Sequence, residues 1–224
     1  MRIFLLGLSL ILPLTGQAND EQIKIDFIQR QFAENAEHSK TWQWGWLGFL
    51  AGAASAQTIG AIAIEDDALR YDMRVGAATS FLGAADLIIN PMQSHHYSDQ
   101  LKSMEMSSST EQKATLQKAE AWLTQAAARE AQEKSWVTHF LSTFINGLAG
   151  LTVAYDDKRP IDGWLIFASG IAVSQFKIHT SPTSMIKAHQ AYKSGNYQYK
   201  AAKIEPRRWE IAAAGPNLMV KWKF

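Results

Sequence analysis

The sequence contains no cysteine, and this absence excludes disulfide bonds, thiolate metal sites, thiol catalysis and a lipoprotein acylation site. It also has no Gly-rich phosphate loop and no Gly-x-Ser-x-Gly nucleophile turn. Because no catalytic motif supports an enzyme, we expect a non-enzymatic protein that carries no cofactor. Hydrophobic residues are abundant instead, at 47% of the 224 residues, so the chain is long and apolar enough to bury a core.

The start of the chain has the three parts of a secretory signal peptide. Arg2 supplies the positive charge, residues 3–14 are uncharged and apolar, and Gly16, Gln17 and Ala18 form a small-residue cleavage site. The apolar run of about 12 residues is well short of the roughly 20 that a membrane-spanning helix needs. We therefore expect cleavage after Ala18 and export to the bacterial cell envelope.

Four nearly uncharged apolar stretches follow. Their lengths fit membrane-spanning or fully buried helices, and short linkers at residues 65–72 and 156–159 join them into two antiparallel hairpins. The expected fold class is all-α, a four-helix transmembrane bundle with flanking amphipathic helices. The expected location is the inner membrane with periplasmic segments, and association with the outer membrane is the alternative. The four stretches are residues 42–64, 73–89, 136–155 and 161–178.

The sequence leaves two environments open for these helices. Tryptophans at the start of the first and third stretches favour lipid, since indole rings concentrate at the headgroup level. The mean hydropathy of −0.16 keeps open a soluble periplasmic bundle. The acidic linkers and the basic tail are also the reverse of the usual positive-inside bias for an exported N-terminus. The tryptophans are Trp42, Trp44, Trp46 and Trp136.

Small residues recur at every fourth position of the first apolar stretch. Gly48, Gly52, Ala56 and Gly60 form one smooth helix face on which another backbone can approach closely. Such a face indicates helix packing in lipid or in a soluble core equally well. We interpret these four residues as the candidate interaction site, for other envelope proteins or for self-association.

An internal repeat appears when the chain is shifted by about 90 residues. The polar helix, apolar hairpin and polar exit recur in the same order, which predicts a tandem duplication of one helical-hairpin unit. The domains are then a signal peptide (1–18), a first helical repeat (19–108), a second helical repeat (109–194) and a basic tail (195–224), with Thr110 as the cap of the second repeat's first helix. Matching pairs include Trp46 with Trp136, Gly60 with Gly150, and Asp66-Asp67 with Asp156-Asp157.

Charged and polar residues supply three further predictions. Counted back from the proline that ends each hairpin, Asp86 and Lys177 occupy the same place with opposite charge, so we expect an ion pair between the repeats. Asp72 and Asp162 precede the second helix of each hairpin and are expected to cap it. His139 is the remaining candidate, because an antiparallel hairpin places it level with His179 as a weak metal site.

The end of the chain alternates apolar and basic residues after a Gly-Pro-Asn turn. Residues 218–224 therefore predict a strand, which forms a short β-hairpin if residues 209–213 pair with it. We expect this strand to dock onto the bundle or onto a partner.

The function predicted from these features is that of a scaffold or assembly component of the bacterial envelope. Its expected partners are membrane lipids, with further envelope proteins or a second copy of the chain, and no nucleic acid. Two alternatives stay open: a small transporter or channel built from parallel repeats, and a soluble periplasmic helical bundle with a His-bound metal or haem.

Overall fold

A computed structural model describes residues 15–104, 106–200, 209–214 and 217–222. Residues 1–14 of the expected signal peptide lie outside these ranges, as do residues 201–208 of the basic tail. The described part is an all-helical bundle followed by two short strands. Its helices are α1 (Thr15–Ala63), α2 (Asp67–Ile89), α3 (Ser94–Lys102), α4 (Ser109–Glu133), α5 (Trp136–Leu151), α6 (Pro160–Thr180) and α7 (Ser184–Lys193).

Two details complete the element order. A π-helical turn, Thr152–Asp156, continues α5 toward the linker. At the end of the chain, β1 (Trp209–Ala214) and β2 (Asn217–Trp222) pair antiparallel, with Trp209 opposite Trp222. What these strands dock onto stays a prediction.

Helix α1 crosses the boundary between polar and apolar sequence without a break. Its 49 residues, about 73 Å at 1.5 Å per residue, contain no proline, so nothing interrupts the backbone hydrogen bonds at the boundary. The first half of α1 packs with α3, α4 and α7, and we call this unit the head. The second half pairs with α2 as hairpin 1, and α5 pairs with α6 as hairpin 2.

The head buries its apolar residues in one shared core. On α1, Ile25, Ile28 and Phe32 are fully buried, as their helical spacing predicts. Leu116, Ala119, Leu123 and Ala126 of α4 meet them together with residues of α3 and α7. Tyr97 stacks flat on Trp122 within this core, with ring centroids 5.1 Å apart.

The hairpins expose their apolar residues instead. Ile62 on α1, Phe81 on α2 and Phe140 on α5 each have more than half of their surface open. The hairpins thus have the opposite arrangement to the head, which buries its apolar residues. Monomeric soluble proteins rarely leave apolar patches of this extent uncovered.

The helix caps differ from those predicted. Asp66, not Asp72, caps α2 by accepting a hydrogen bond from the Leu69 amide, while Asp72 lies inside the helix. Asp162 lies inside α6, which begins at Pro160 because proline's fixed φ suits the first helical position. Ser108, not Thr110, caps α4 in a capping box with Glu111. The sequence signal missed Ser108 because four hydroxyl residues in a row compete for one cap.

The element order of the second half of the chain follows that of the first. A long polar helix, an apolar hairpin and a short amphipathic helix occur in residues 15–102 and again in residues 109–193. The hairpins also cross at matching glycines. A Cβ on Gly60 would lie 3.3 Å from the Met73 sulfur, and one on Gly150 would lie 2.7 Å from the Gly163 carbonyl oxygen. Both residues of the second contact stand about 90 positions after their counterparts.

Candidate functional site

The hairpins provide three helical segments that are long and apolar enough to cross a membrane. They lie within Asp20–Ala63, Asp67–Lys102 and Trp136–Asp156 of the described chain. Helix α6 is not among the three, although it pairs with α5 along the same hairpin. The apolar half of α1, residues 42–63, extends about 33 Å, close to the roughly 30 Å of a bilayer's hydrocarbon core.

Exposed aromatic rings mark both ends of these segments. Trp44 and Trp136 are 59% and 75% exposed at the head end. Tyr155 and Trp164 are 79% and 70% exposed at the opposite end, which we call the tip. Two such levels are the pattern of a membrane protein's interfacial belts. Trp42, expected in this belt, is instead 5% exposed, because it packs in an apolar cluster with Leu50 and Leu87. The Lys177 ammonium lies 5.4 Å from its ring centroid.

The small-residue face of α1 is open along most of its length. Gly48, Gly52 and Ala56 are exposed, and a Cβ built on either glycine meets nothing within 4 Å. Gly60 alone has a contact inside the chain, with Met73 of α2. The candidate interaction site is therefore divided: its first three residues are free for a partner, and its fourth serves hairpin 1.

A groove of about 850 Å³ runs between α1 and α6 just below the head. Its walls include the rings of Trp46, Phe49 and Phe176 and the side chain of Val173. Two indole hydrogen bonds hold the helices together beside it, from Trp42 Nε1 to the Lys177 carbonyl at 3.2 Å and from Trp46 Nε1 to Thr180 Oγ1 at 3.1 Å.

A buried charge cluster joins α4, α2 and α6 at the same level. The Lys177 ammonium lies 3.6 Å from an Asp86 carboxylate oxygen, so the structure brings the two sequence-predicted residues near each other. The closer partner of the Lys177 ammonium is the Glu133 carboxylate, at 2.6 Å. Arg129 also donates to Glu133, at 2.9 Å. Since Glu133 is 2% exposed and the Asp86 side chain 46%, the pair with Glu133 is the desolvated one.

Glu130, one turn before this cluster, fastens α7 to α4. Its carboxylate accepts hydrogen bonds from the Met185 and Ile186 amides, at 2.8 and 3.3 Å, in the first turn of α7. These amides have no partner within their own helix, so the carboxylate replaces a missing N-cap side chain. The residue is 1% exposed, and this burial raises the pKa of Glu130 to about 7.

At the tip, one guanidinium joins the two hairpins. Arg159 donates to Asp157 at 2.6 Å, to Asp162 at 2.8 Å, and to both Asp72 and the Ala68 carbonyl of α2. The hydrogen bonds to Asp72 raise the pKa of Arg159, followed by those to its other carboxylates. Asp72 and Asp162, expected as caps, thus hold Arg159 between the hairpins.

The two candidate metal-binding histidines have different neighbours. His139 Nδ1 lies 2.8 Å from Gln175 Oε1 of α6, and Gln175 is one turn before the exposed His179. The His179 carbonyl accepts a hydrogen bond from the Lys134 ammonium at 3.0 Å. Within the described ranges, no group of three or more His, Asp or Glu residues is placed to hold a metal ion.

Sequence reasoning missed Glu130, Glu133 and Arg159. The two glutamates lie on the polar helix α4 among many exposed charges, and only their contacts across 44 to 56 residues of chain distinguish them. A usable signal existed for Arg159, which is the charged residue immediately before the proline that starts α6.

Comparisons with protein-family models, with curated proteins and with solved structures found no match to this chain.

Proposed function

We propose that this chain is a non-enzymatic integral membrane protein of the bacterial envelope, which anchors its helical head at one membrane surface and acts as a scaffold for an assembly. One observation carries the proposal: the head buries its large apolar residues, and the hairpins expose theirs over a height that matches a bilayer. The same chain in water would leave this surface uncovered. The recurring element order and the matched glycine crossings support a tandem duplication as its origin.

The scaffold role follows from the surfaces that remain free. The face at Gly48, Gly52 and Ala56 allows another membrane helix, from a further envelope protein or a second copy, to approach closely. The head extends beyond the hairpins on one side only, so it is the part available to partners outside the membrane. A scaffold of this kind needs no catalytic residues.

The decisive experiment uses the absence of cysteine, which lets a single introduced thiol report its environment without background. Lys118→Cys places the thiol on the exposed surface of the head, Asp67→Cys at the tip, and Phe81→Cys on the apolar face of α2. In sealed membrane vesicles, a membrane-impermeant maleimide should label the head and tip positions from opposite sides and leave position 81 unlabelled. Labelling of head and tip from the same side would overturn the proposal.

Alkaline carbonate extraction provides an independent check. An integral protein stays in the membrane pellet, whereas a soluble or peripheral one is released. Release of the protein at alkaline pH would contradict both the membrane scaffold and the channel, and would favour the soluble periplasmic bundle.

A small transporter or channel is the second candidate, favoured by the buried ion pair of Glu133 and Lys177 beside Asp86. Buried charge at the membrane end of a helix often marks an ion pathway. Reconstituted vesicles should then show an ion flux that Lys177→Leu abolishes. Equal flux in vesicles with and without the protein would remove this candidate and leave the scaffold unaffected.

A further inference from the structure

We propose that the groove between α1 and α6 binds one acyl chain of an anionic phospholipid, with the lipid phosphate at the groove's head end. This inference rests on the proposed membrane location. It adds a specific ligand site that a scaffold does not by itself require.

The shape of the groove fits a flexible apolar chain. It runs from His38 to Phe49 along α1, about 16 Å at 1.5 Å per residue. Gly45 leaves open space between the surrounding rings, since a Cβ there meets nothing within 4 Å. A volume of about 850 Å³ is within the range of small-ligand sites.

The walls disfavour a second helix as the occupant. Close helix packing in membranes depends on small residues along both partners. Here Trp46 and Phe176, whose ring centroids lie 5.8 Å apart, stand with Phe49 where a partner backbone would need to approach. The open small-residue face at Gly48 and Gly52 suits a helix far better. The two surfaces are neighbours on α1 but fit different partners.

Polar side chains line the head end of the groove, and a cation lies beside it. The polar lining residues at this end are His38, Thr41 and Thr180. The Lys134 ammonium lies at the adjoining end of α6, where it donates to the carbonyls of Ile178 and His179 at 2.6 and 3.0 Å. An ammonium has three donors, so one is left for an anion.

The position along the membrane agrees with this assignment. Exposed Trp44 and Trp136 place the lipid headgroup level at the head end of the hairpins. The polar end of the groove is at this level, and its apolar walls extend toward the bilayer centre. A phospholipid that contacts the protein thus has its phosphate at the level of the groove's polar end and its acyl chain at the level of the apolar walls.

The test compares two positions on one helix. Gly45→Leu fills the groove, and Ala51→Leu adds a leucine at an exposed position outside the groove lining and outside the small-residue face. Each variant in detergent is titrated with phosphatidylglycerol, and native mass spectrometry counts the lipids bound. We expect one retained lipid on the wild type, about tenfold weaker retention in Gly45→Leu, which corresponds to about 1.4 kcal/mol, and wild-type retention in Ala51→Leu.

The headgroup is tested with phosphatidylcholine and with Lys134→Gln. We expect the wild type to retain phosphatidylglycerol over phosphatidylcholine, and Lys134→Gln to lose this preference while it still binds a lipid. Equal lipid retention in the wild type, Gly45→Leu and Ala51→Leu would overturn the proposal, because it would indicate only non-specific surrounding lipid. Loss of a dimer in Gly45→Leu, with lipid retention unchanged, would assign the groove to a second copy.

Failure of this proposal is distinguishable from failure of the membrane location. A protein that carbonate extraction releases refutes the location itself. A protein that stays in the membrane but retains lipid equally at all positions refutes only the groove.

Discussion

Replacing Glu133 should destabilise the protein far more than replacing Asp86, although both carboxylates lie near Lys177. Asp86 is 3.6 Å from the ammonium with its side chain 46% exposed, so its pair is of the surface kind and Asp86→Asn should cost about 0.5 kcal/mol. Glu133 is 2% exposed and holds both Lys177 and Arg129. Removing one partner of a buried pair costs about 3–5 kcal/mol, and we expect the lower end for Glu133→Gln because Lys177 keeps Asp86.

The assay is thermal unfolding in detergent, followed by intrinsic tryptophan fluorescence. For a chain of this size, 1 kcal/mol shifts Tm by about 2–4 °C, so Glu133→Gln should lower Tm by roughly 6–12 °C and Asp86→Asn by roughly 1–2 °C. The double variant Glu133→Gln with Lys177→Leu removes both charges of the buried pair and should be less destabilised than Glu133→Gln alone, because it no longer buries an ammonium without its principal partner. An effect of Asp86→Asn equal to that of Glu133→Gln would refute the assignment of Glu133 as the principal partner.

Three further predictions concern the head, the hairpin crossing and the tip. Burial raises the pKa of Glu130 to about 7 from an ordinary 4.5, so the free energy of unfolding should fall as the pH rises from about 4.5 to 7, by about 3 kcal/mol in all. In Glu130→Gln, unfolding measured over the same pH range should lack this decrease. Gly163→Ala should cost about 2–3 kcal/mol, because its Cβ would lie 2.5 Å from the Gly150 carbonyl oxygen, whereas Gly48→Ala should gain about 0.5–1 kcal/mol from helix propensity. Arg159→Lys should lower the Tm measured by thermal unfolding, because an ammonium cannot reproduce the forked hydrogen bonds at the tip.

Each of these predictions has an outcome that contradicts it. Greater stability of the wild type at pH 8 than at pH 5, relative to Glu130→Gln, would reverse the sign argued for the buried carboxylate. Equal Tm values for Gly163→Ala and Gly48→Ala would show that the helices move apart without cost at their crossing. Unchanged unfolding of Arg159→Lys would mean that one charge suffices at the tip.

The sequence was most informative where the physics is local. The amphipathic helices expected on either side of the hairpins are α4 and the first half of α1, and the head buries their helically spaced apolar residues, such as Phe32 and Leu123. The boundary between polar and apolar sequence at Trp42 is visible too, but it does not end the helix, since composition can change without any breaker residue. Local patterns therefore located the helices and missed the continuity between head and hairpin.

Apart from the approach of Asp86 to Lys177, which the repeat suggested, long-range contacts could not be predicted from these patterns. The environment of Lys177 depends on how α4 approaches α6, and Glu133 is one of several acidic residues on a polar helix. Asp72 looked like a cap because it precedes the apolar run, yet α2 begins earlier, at Asp67, and the side chain turns to Arg159. Local patterns carry no signal for the partners of Glu133 and Asp72, which are more than 40 residues away along the chain.

The buried pair also bears on the proposed duplication. In hairpin 1, Gln43 donates to the Leu87 backbone carbonyl at 2.7 Å. At a constant offset of 90 residues, without the one-residue shift of the proline-anchored alignment that matched Asp86 with Lys177, positions 43 and 87 correspond to Glu133 and Lys177. The corresponding positions are thus in contact in both halves of the described chain, through a side-chain amide and a backbone carbonyl in the first half and through a side-chain ion pair in the second. The double variant Glu133→Gln with Lys177→Leu recreates the first unit's residues in the second. If the duplication is real, it should be more stable than Glu133→Gln alone, because the position already accepts that pair elsewhere in the fold. A double variant less stable than the single one would argue that the two contacts are unrelated.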